Sequence, residues 1–295
     1  MGLMLMAALL FALMNFLARL ASATSSWALI GAVRAFVGAG VALAVARIRG
    51  APLRLNDKKS VLLRSAFGTA AMAATFYALS SKTLSLGDTV TLLNLTPVFL
   101  ALLAPIVLGE RTSGAVVLAI AVSLGGVVLI LHPAFVFGTQ EGSDPGVGTI
   151  VGPSAGMTAL AAASAALLAS FAMMMLRRAG RTESSEAIAF HYSLIAAVSL
   201  GIFGLRDARI PSTHDAALMI GAGVSAGFAQ IAMTRAYSLA RAARVSGIGY
   251  VTVVASALFG ALALRERPTS IALVGMLLVI GGGLLVTFAR EPDLI

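Results

Sequence analysis

The sequence predicts an all-α integral membrane protein of ten transmembrane helices, arranged as two inverted five-helix repeats. Three observations predict this fold. Of the 295 residues, 59% are hydrophobic and 11% are charged, whereas a soluble domain is nearer a quarter charged. The apolar runs are about 20 residues long, which is the length that spans a bilayer as a helix. The third observation is an internal repeat.

The apolar runs are separated by short polar connections. Their length and the absence of two-residue alternation favour helices over barrel strands. The longest connection, 133–153, is rich in Gly, Pro, Ser and Asp, and it divides the chain into a first repeat at 1–132 and a second at 154–295. The predicted spans are 2–22, 28–47, 60–80, 86–108, 114–132, 154–176, 186–205, 213–238, 246–264 and 270–289.

The two halves match at a nearly constant spacing. The LMNF segment at 13–16 aligns with LASF at 168–171 at an offset of 155, and GER at 109–111 aligns with RER at 265–267 at an offset of 156. Agreement in order and offset across a whole half indicates a duplication. Because each half holds five spans, an odd number, the second half is inverted relative to the first. Inverted repeats are typical of secondary transporters, whose substrate site lies near the midplane between the repeats.

Two glycine clusters occupy equivalent positions in the fifth and tenth spans. Gly125 and Gly126 align with Gly281 and Gly282 at the offset of 156, and Gly283 follows them. Small residues let membrane helices approach each other closely. We therefore expect these glycines to form a contact between helices and to have no chemical role.

Lys and Arg are distributed unevenly among the connections. If the N-terminus is cytoplasmic, the cytoplasmic connections hold twelve of these residues and the opposite ones hold five. An excess of positive charge marks the cytoplasmic side of a membrane protein. We therefore expect a bacterial inner membrane protein with both termini cytoplasmic and 133–153 extracytoplasmic. Four arginines within or at the ends of spans are left out of this count: Arg19, Arg34, Arg64 and Arg235.

Four short motifs carry a family resemblance. They are Met14-Asn15-Phe16, the LTPVF segment at 95–99, LGER at 108–111 and LRER at 264–267. With them and its glycine-rich fifth and tenth helices, the chain resembles the drug/metabolite transporter superfamily in its ten-helix EamA-type branch. The resemblance implies a basket of helices around a central cavity, with the fifth and tenth helices peripheral. It also implies export of amino acids or related metabolites, and YddG-type aromatic amino acid exporters are the subgroup it suggests.

Two ionisable side chains inside spans are candidates for substrate binding, because burying a charge in hydrocarbon is costly. Arg34 lies seven residues after Trp27, about 10 Å into its span, and is a candidate for holding an amino acid carboxylate. The structural alternative is that it pairs with a helix end or extends to the interface. His191 lies 157 residues after Arg34, near the equivalent place in the second half. It is a candidate substrate ligand, with a satisfied structural histidine as the alternative.

The remaining candidates are uncharged. Asn15, Asn94 and Gln230 are predicted to hydrogen-bond substrate, with interhelical hydrogen bonding as the alternative. Tyr77 is predicted to shape the pocket, with a place in the interfacial aromatic belt as the alternative. Pro97 interrupts the fourth span and is a predicted hinge, because it removes a backbone hydrogen bond. The second half has Val253 where this proline would align, so the hinge does not repeat.

Energy coupling is predicted from the position of the acidic residues. No Asp or Glu lies in the middle of a predicted span, whereas proton and sodium coupling commonly use one there. We therefore expect alternating access with uncoupled facilitated diffusion or exchange. A proton-coupled drug or metabolite exporter, a channel and a membrane scaffold are the alternatives.

Enzymatic function is not expected from the sequence. The chain contains no cysteine and no HExxH or P-loop motif, so we expect no catalytic site, metal or cofactor. The expected partners are a small-molecule substrate, namely an amino acid or related metabolite, and membrane lipid. The formal net charge of +9 is assigned to topology rather than to nucleic acid.

Overall fold

A computed structural model describes residues 2–81, 83–84, 86–96, 98–100, 102–103, 114–131, 155–204, 211–239, 249–265 and 269–288. The predicted hinge Pro97 and the connector 133–153 lie outside the described residues. The described part of the chain forms ten α-helices: α1 (Gly2–Ala21), α2 (Trp27–Arg49), α3 (Lys58–Ser80), α4 (Leu86–Leu93), α5 (Gly114–Leu131), α6 (Ala155–Ala179), α7 (Ser185–Gly204), α8 (Thr213–Leu239), α9 (Val251–Ala263) and α10 (Ser270–Phe288).

The helices have the length and composition of membrane spans. Six of them, namely α1, α2, α3, α6, α7 and α8, contain segments of at least 18 residues that are apolar enough to cross a bilayer. Shorter apolar helices occupy the remaining predicted spans. Large apolar side chains cover the outside of the molecule, as Phe36, Ile48 and Leu262 illustrate with exposures of 71%, 85% and 81%. The predicted multi-pass, all-α membrane fold is confirmed.

Serine caps begin α2 and α7 in the same way. Ser26 accepts a hydrogen bond from the Leu29 backbone N–H at 3.3 Å, and Ser184 accepts one from the Ala187 N–H at 3.1 Å. Such caps satisfy backbone donors that have no partner within the helix. The two caps are 158 residues apart, so α2 and α7 are equivalent helices of the two repeats. This alignment places Tyr192, rather than its neighbour His191, at the position equivalent to Arg34.

The helices pair across the two halves with two-fold symmetry. The most extensive pairs are α2 with α7, α5 with α10, α3 with α6, and α1 with α8, and α4 packs on α9. If each helix of the first repeat is exchanged with the helix five places later, the α1–α8 pair becomes the α6–α3 pair. The α2–α7, α4–α9 and α5–α10 pairs stay the same. This is the arrangement that an inverted repeat requires. The α5–α10 pair makes few contacts with the other helices, so it lies at the periphery.

The α5–α10 contact is formed by one glycine from each repeat. A Cβ atom at Gly126 would lie 2.6 Å from the Gly275 carbonyl oxygen, and one at Gly282 would lie 2.7 Å from the Ala119 carbonyl oxygen. Residues 119 and 275 are themselves 156 apart, so the same offset relates the two contacts. The neighbouring glycines at 125 and 281 have no atom within 4 Å of an added Cβ. The prediction of a close helix approach therefore holds for one glycine of each pair.

Substitution of these glycines by alanine tests the α5–α10 contact. G126A and G282A are expected to lower the free energy of unfolding by about 1–3 kcal/mol, because the new methyl group overlaps a backbone carbonyl. The neighbours G125A and G281A provide matched controls with the same chemical change. They are expected to be neutral or to stabilise by up to about 1 kcal/mol, because alanine is the better helix former.

The measurement is the thermal unfolding temperature of each variant in detergent. Equal melting temperatures for G282A and G281A would contradict the proposed packing of α5 on α10.

Candidate functional site

Two buried arginines lie where α2, α3 and α7 meet. Arg34 lies seven residues after the start of α2, and Arg64 lies six residues after the start of α3. Their side chains are 5% and 4% exposed. The Arg34 guanidinium reaches Met72 on α3, and that of Arg64 lies against Gly68, one turn earlier on the same helix. A positive pair in the packed interior of a helical membrane protein is the most unusual electrostatic feature of the described residues.

Arg34 reaches across to α3. Its Nη1 donates to the sulfur of Met72 at 3.0 Å, and its Nε is buried without a hydrogen-bond partner. A thioether sulfur is only a weak acceptor. The Met72 contact therefore orients the guanidinium group without neutralising its charge.

Arg64 is held by an aromatic ring and a glycine. Its Cζ lies 4.2 Å from the centroid of the Tyr192 ring on α7, which is a cation–π contact. Its Nη1 lies against Gly68, where an added Cβ would overlap it. The Nε of Arg64 is also buried without a hydrogen-bond partner. Tyr192, like Met72, positions a cation without supplying a negative charge.

No acidic side chain of the described residues forms an ion pair with Arg34 or Arg64. The described acidic residues lie in loops or first helical turns, and they are Asp57, Asp88, Glu183, Glu186 and Asp215. The ion pairs formed among described residues are Arg49–Glu186 at 3.4 Å and Arg178–Asp57 at 3.7 Å, both at helix ends. Burying a charge without a partner costs several kcal/mol. An anion bound between the two arginines would offset that cost.

Thr69 adds a hydroxyl group to the same stretch of α3. It lies between Gly68 and Met72, is 8% exposed, and its Oγ1 has no hydrogen-bond partner. A hydroxyl can donate to a carboxylate. Arg34 and Arg64 therefore form a pair of unsatisfied donors, which we call the arginine site, and Thr69 is a third unsatisfied donor on the same stretch of α3.

Sequence reasoning singled out Arg34 and missed Arg64. Arg64 was set aside as a residue near the end of a span, although an arginine six residues into an apolar run carries the same signal as Arg34. Tyr192, which packs on Arg64, is a candidate for the aromatic lining of a pocket from the sequence alone, whereas the adjacent His191 is the predicted site residue. Successive residues of a helix point about 100° apart, and only packing shows which of the two faces the site.

Three predicted site residues make hydrogen bonds within their own helices. Asn94 donates from Nδ2 to the Val90 carbonyl at 2.8 Å. His191 Nδ1 lies 2.9 Å from the Ala187 carbonyl oxygen, and Gln230 Nε2 lies 3.5 Å from the Thr234 hydroxyl. These bonds join each side chain to a neighbour four residues away, and none of them leads to Arg34.

The other predicted residues are distributed along the helices. Asn15 is 5% exposed within α1. Tyr77 is near the end of α3, where its ring packs edge-on against Trp27 at 6.2 Å between ring centroids. Trp27 is the first residue of α2, so this pair lies close to one end of the helical bundle.

A polar cavity of about 410 Å³ opens where α2, α7 and α8 reach one face of the molecule. We call this face the inner face, and it carries the loops 50–57 and 180–184. The cavity, here the inner vestibule, is lined by Arg49, Glu183, Glu186, Thr234 and Arg235 among others. Arg34 and Arg64 are not among its lining residues.

Hydrogen bonds join the two repeats at the inner face. The Glu183 carboxylate accepts from the backbone N–H groups of Asn56 at 2.9 Å and Asp57 at 2.7 Å. The Ser184 hydroxyl donates to the Pro52 carbonyl at 3.0 Å. We call these contacts the inner latch.

Asp57 caps the start of α3 beside the latch. Hydrogen bonds from the Ser60 side chain and backbone, together with Arg178 nearby, hold the pKa of Asp57 below its usual range. Its carboxylate therefore stays ionised at neutral and mildly acidic pH, where it caps the helix and attracts Arg178.

An equivalent contact lies at the opposite face. The Thr24 side chain, in the loop between α1 and α2, lies close to the Asp215 carboxylate in the first turn of α8. Asp215 also accepts from the Ser212 hydroxyl at 2.7 Å. The loop 22–26 corresponds to 180–184 in the other repeat, and the start of α8 corresponds to the start of α3. Both faces therefore carry polar contacts between the repeats.

The described residues offer no cluster of metal ligands. None of their His, Asp and Glu side chains form a group of three that could hold a metal ion. The arginine site itself consists of hydrogen-bond donors and cations, which attract anions and repel metal ions.

Comparisons with known proteins agree with this architecture. The model of the EamA-like transporter family matches residues 1–132 and 156–288. The pseudopaline exporter CntI of Pseudomonas aeruginosa is 26% identical over 276 residues, which cover 93% of this chain and 91% of that protein. Solute carrier family 35 member G1 of Homo sapiens is 26% identical over 227 residues, which cover 75% of this chain and 60% of that protein.

A solved crystal structure shares the fold. It has a TM-score of 0.66 and 20% sequence identity, and the match covers 96% of this chain and 94% of the other. The family match includes most of both repeats, and the described helices are those of a multi-pass membrane protein. The chain therefore belongs to the EamA-like transporter family.

Proposed function

We propose that this protein is a secondary transporter that exports small organic carboxylates, amino acids among them, by alternating access. The observation that carries the proposal is the arginine site, where two buried guanidinium groups lack a carboxylate among the described residues. A substrate carboxylate would supply the missing charge through charge-assisted hydrogen bonds. Export is supported by the similarity to the relative from Pseudomonas aeruginosa, which is a pseudopaline exporter. In this proposal the inner face is the cytoplasmic face of a bacterial inner membrane.

Alternating access uses the two-fold arrangement of the helices. The repeats rock about a central site, so that contacts break at one face while they form at the other. In this mechanism, the inner latch and the Thr24–Asp215 contact are the contacts that would break and form in turn. The described acidic residues lie in loops or first helical turns, which supports transport driven by the gradient of the substrate itself.

Counterflow in proteoliposomes tests the proposed function. Vesicles are loaded with one unlabelled amino acid or carboxylate at a time, and entry of the labelled compound is followed. We expect a transient overshoot for at least one carboxylate, because a carrier exchanges substrate faster than it returns empty. Empty vesicles and a pH gradient serve as controls. Flux without an overshoot would indicate a channel, and uphill transport driven by the pH gradient would contradict uncoupled transport.

Replacement of Arg34 tests the role of the arginine site. R34Q is expected to raise the half-saturation concentration for exchange about 10- to 100-fold, because a hydrogen bond to a charged group contributes about 1.5–3 kcal/mol. The melting temperature of the empty protein is expected to stay the same or rise, because a buried charge without an acidic partner is removed. The control is R47Q, which removes an exposed arginine from the same helix.

A structural role would give the opposite pattern. If R34Q lowered the melting temperature and left the exchange kinetics of the folded fraction unchanged, Arg34 would not be part of the substrate site.

The inner latch is tested by measuring how accessible the inner vestibule is to a thiol reagent. The chain contains no cysteine, so a single Thr234→Cys substitution places a thiol probe beside the inner vestibule without background. E183A is expected to increase the rate of its modification by a small maleimide about fivefold, since losing exposed hydrogen bonds shifts the equilibrium by about 1 kcal/mol. E183Q retains a carbonyl acceptor and is expected to give a smaller increase. An unchanged rate in E183A would show that the latch does not hold the inner face closed.

A further inference from the structure

The arginine site contains two guanidinium groups on adjacent helices. We propose that the transported molecule carries two acidic groups, one bound by Arg34 and one by Arg64, so that the carrier selects short dicarboxylates over the corresponding monocarboxylates. This inference rests on the proposed function and names its substrate class. It assigns to Arg64 a direct part in specificity.

The charge of the site favours a substrate with two negative groups. Arg34 contacts the Met72 sulfur at 3.0 Å, and Arg64 lies 4.2 Å from the Tyr192 ring centroid. Both contacts leave the positive charge uncompensated. A neutral amino acid would bring one carboxylate together with an ammonium group, which both guanidinium groups repel. A dicarboxylate places one negative charge beside each arginine, and bidentate pairing with each would satisfy the buried Nε atoms.

The spacing of the two arginines limits the size of the substrate. Arg64 lies one turn before Gly68 on α3, and its Nη1 lies against that glycine. Arg34 comes from α2 and reaches α3 at Met72. The two guanidinium groups therefore meet α3 one turn apart, which is about 6 Å along the helix axis. The carboxylates of a four- or five-carbon dicarboxylate are separated by a similar distance. Thr69 lies between Gly68 and Met72 in the sequence of α3, and its buried hydroxyl group has no hydrogen-bond partner.

Amino acids that differ only in one charged group provide the test. Glutamate and glutamine, and likewise aspartate and asparagine, have nearly the same size, and the acid carries the second carboxylate. Exchange by the full-length protein in proteoliposomes is measured for each compound. We expect the half-saturation concentration of the acid to be at least about tenfold lower than that of its amide, which is the effect of one charged hydrogen-bonded pair.

Variants of Arg64 connect this preference to the site. R64Q is expected to raise the half-saturation concentration of glutamate about tenfold while that of glutamine changes less than about twofold. R64K is expected to restore part of the preference, because it keeps the charge and loses the bidentate geometry. The exposed-residue variant R47Q is the control and is expected to keep the preference.

A second measurement needs only the wild-type protein, so it remains informative if R64Q fails to fold. Glutamate carries a net negative charge at neutral pH and glutamine carries none. An interior-negative potential, set with potassium and valinomycin, is expected to accelerate glutamate efflux and to leave glutamine efflux unchanged. Equal or better exchange of the amides, with no response of glutamate efflux to potential, would overturn the dicarboxylate inference and leave the proposed function intact. Failure of every carboxylate to exchange would overturn both.

Discussion

The arrangement of the centre of this protein depends on the burial of two positive charges. A guanidinium group in a helical membrane core loses its hydration, and the described residues give Arg34 and Arg64 no carboxylate in return. The chain instead provides a sulfur, an aromatic ring and a glycine that fix the position of each cation. Removing a charge of this kind normally favours stability. We propose that both are retained because the transported ligand completes the site.

In the proposed alternating-access mechanism, the symmetry of the fold allows such a site to be reached from both sides. Every main helix pair joins one repeat to the other, so the site lies within an interface and not within a single repeat. The glycine contacts between α5 and α10 stay at the periphery, where they join the repeats without restricting the centre. The charge of an anionic substrate would also determine the direction of net transport by an uncoupled carrier. An interior-negative potential favours its exit by about 2.3 kcal/mol per charge for each 100 mV, so export would require no proton or sodium site.

The fold could be predicted from the sequence more completely than the site. Apolar runs define where helices lie, and the offset of 156 anticipated that Gly126 and Gly282 would make equivalent contacts. The site depends on which way each polar side chain points, and spacing does not determine that. Asn94 and His191 bond to carbonyl groups of their own helices, which sequence spacing allows as readily as a place in a pocket. Arg64 carries the same signal in the sequence as Arg34, but only the structure shows that it packs against Tyr192 of α7.

The most direct test of the account is a double-mutant cycle on ligand binding. The binding free energy of glutamate is measured by calorimetry for the purified wild-type protein, R34Q, R64Q and the double variant. If both arginines bind one ligand, their effects are expected to be coupled by at least about 0.5 kcal/mol, as for residues that share a partner. A coupling free energy close to zero, with glutamate still bound by the double variant, would contradict the claim that these two buried charges form the substrate site.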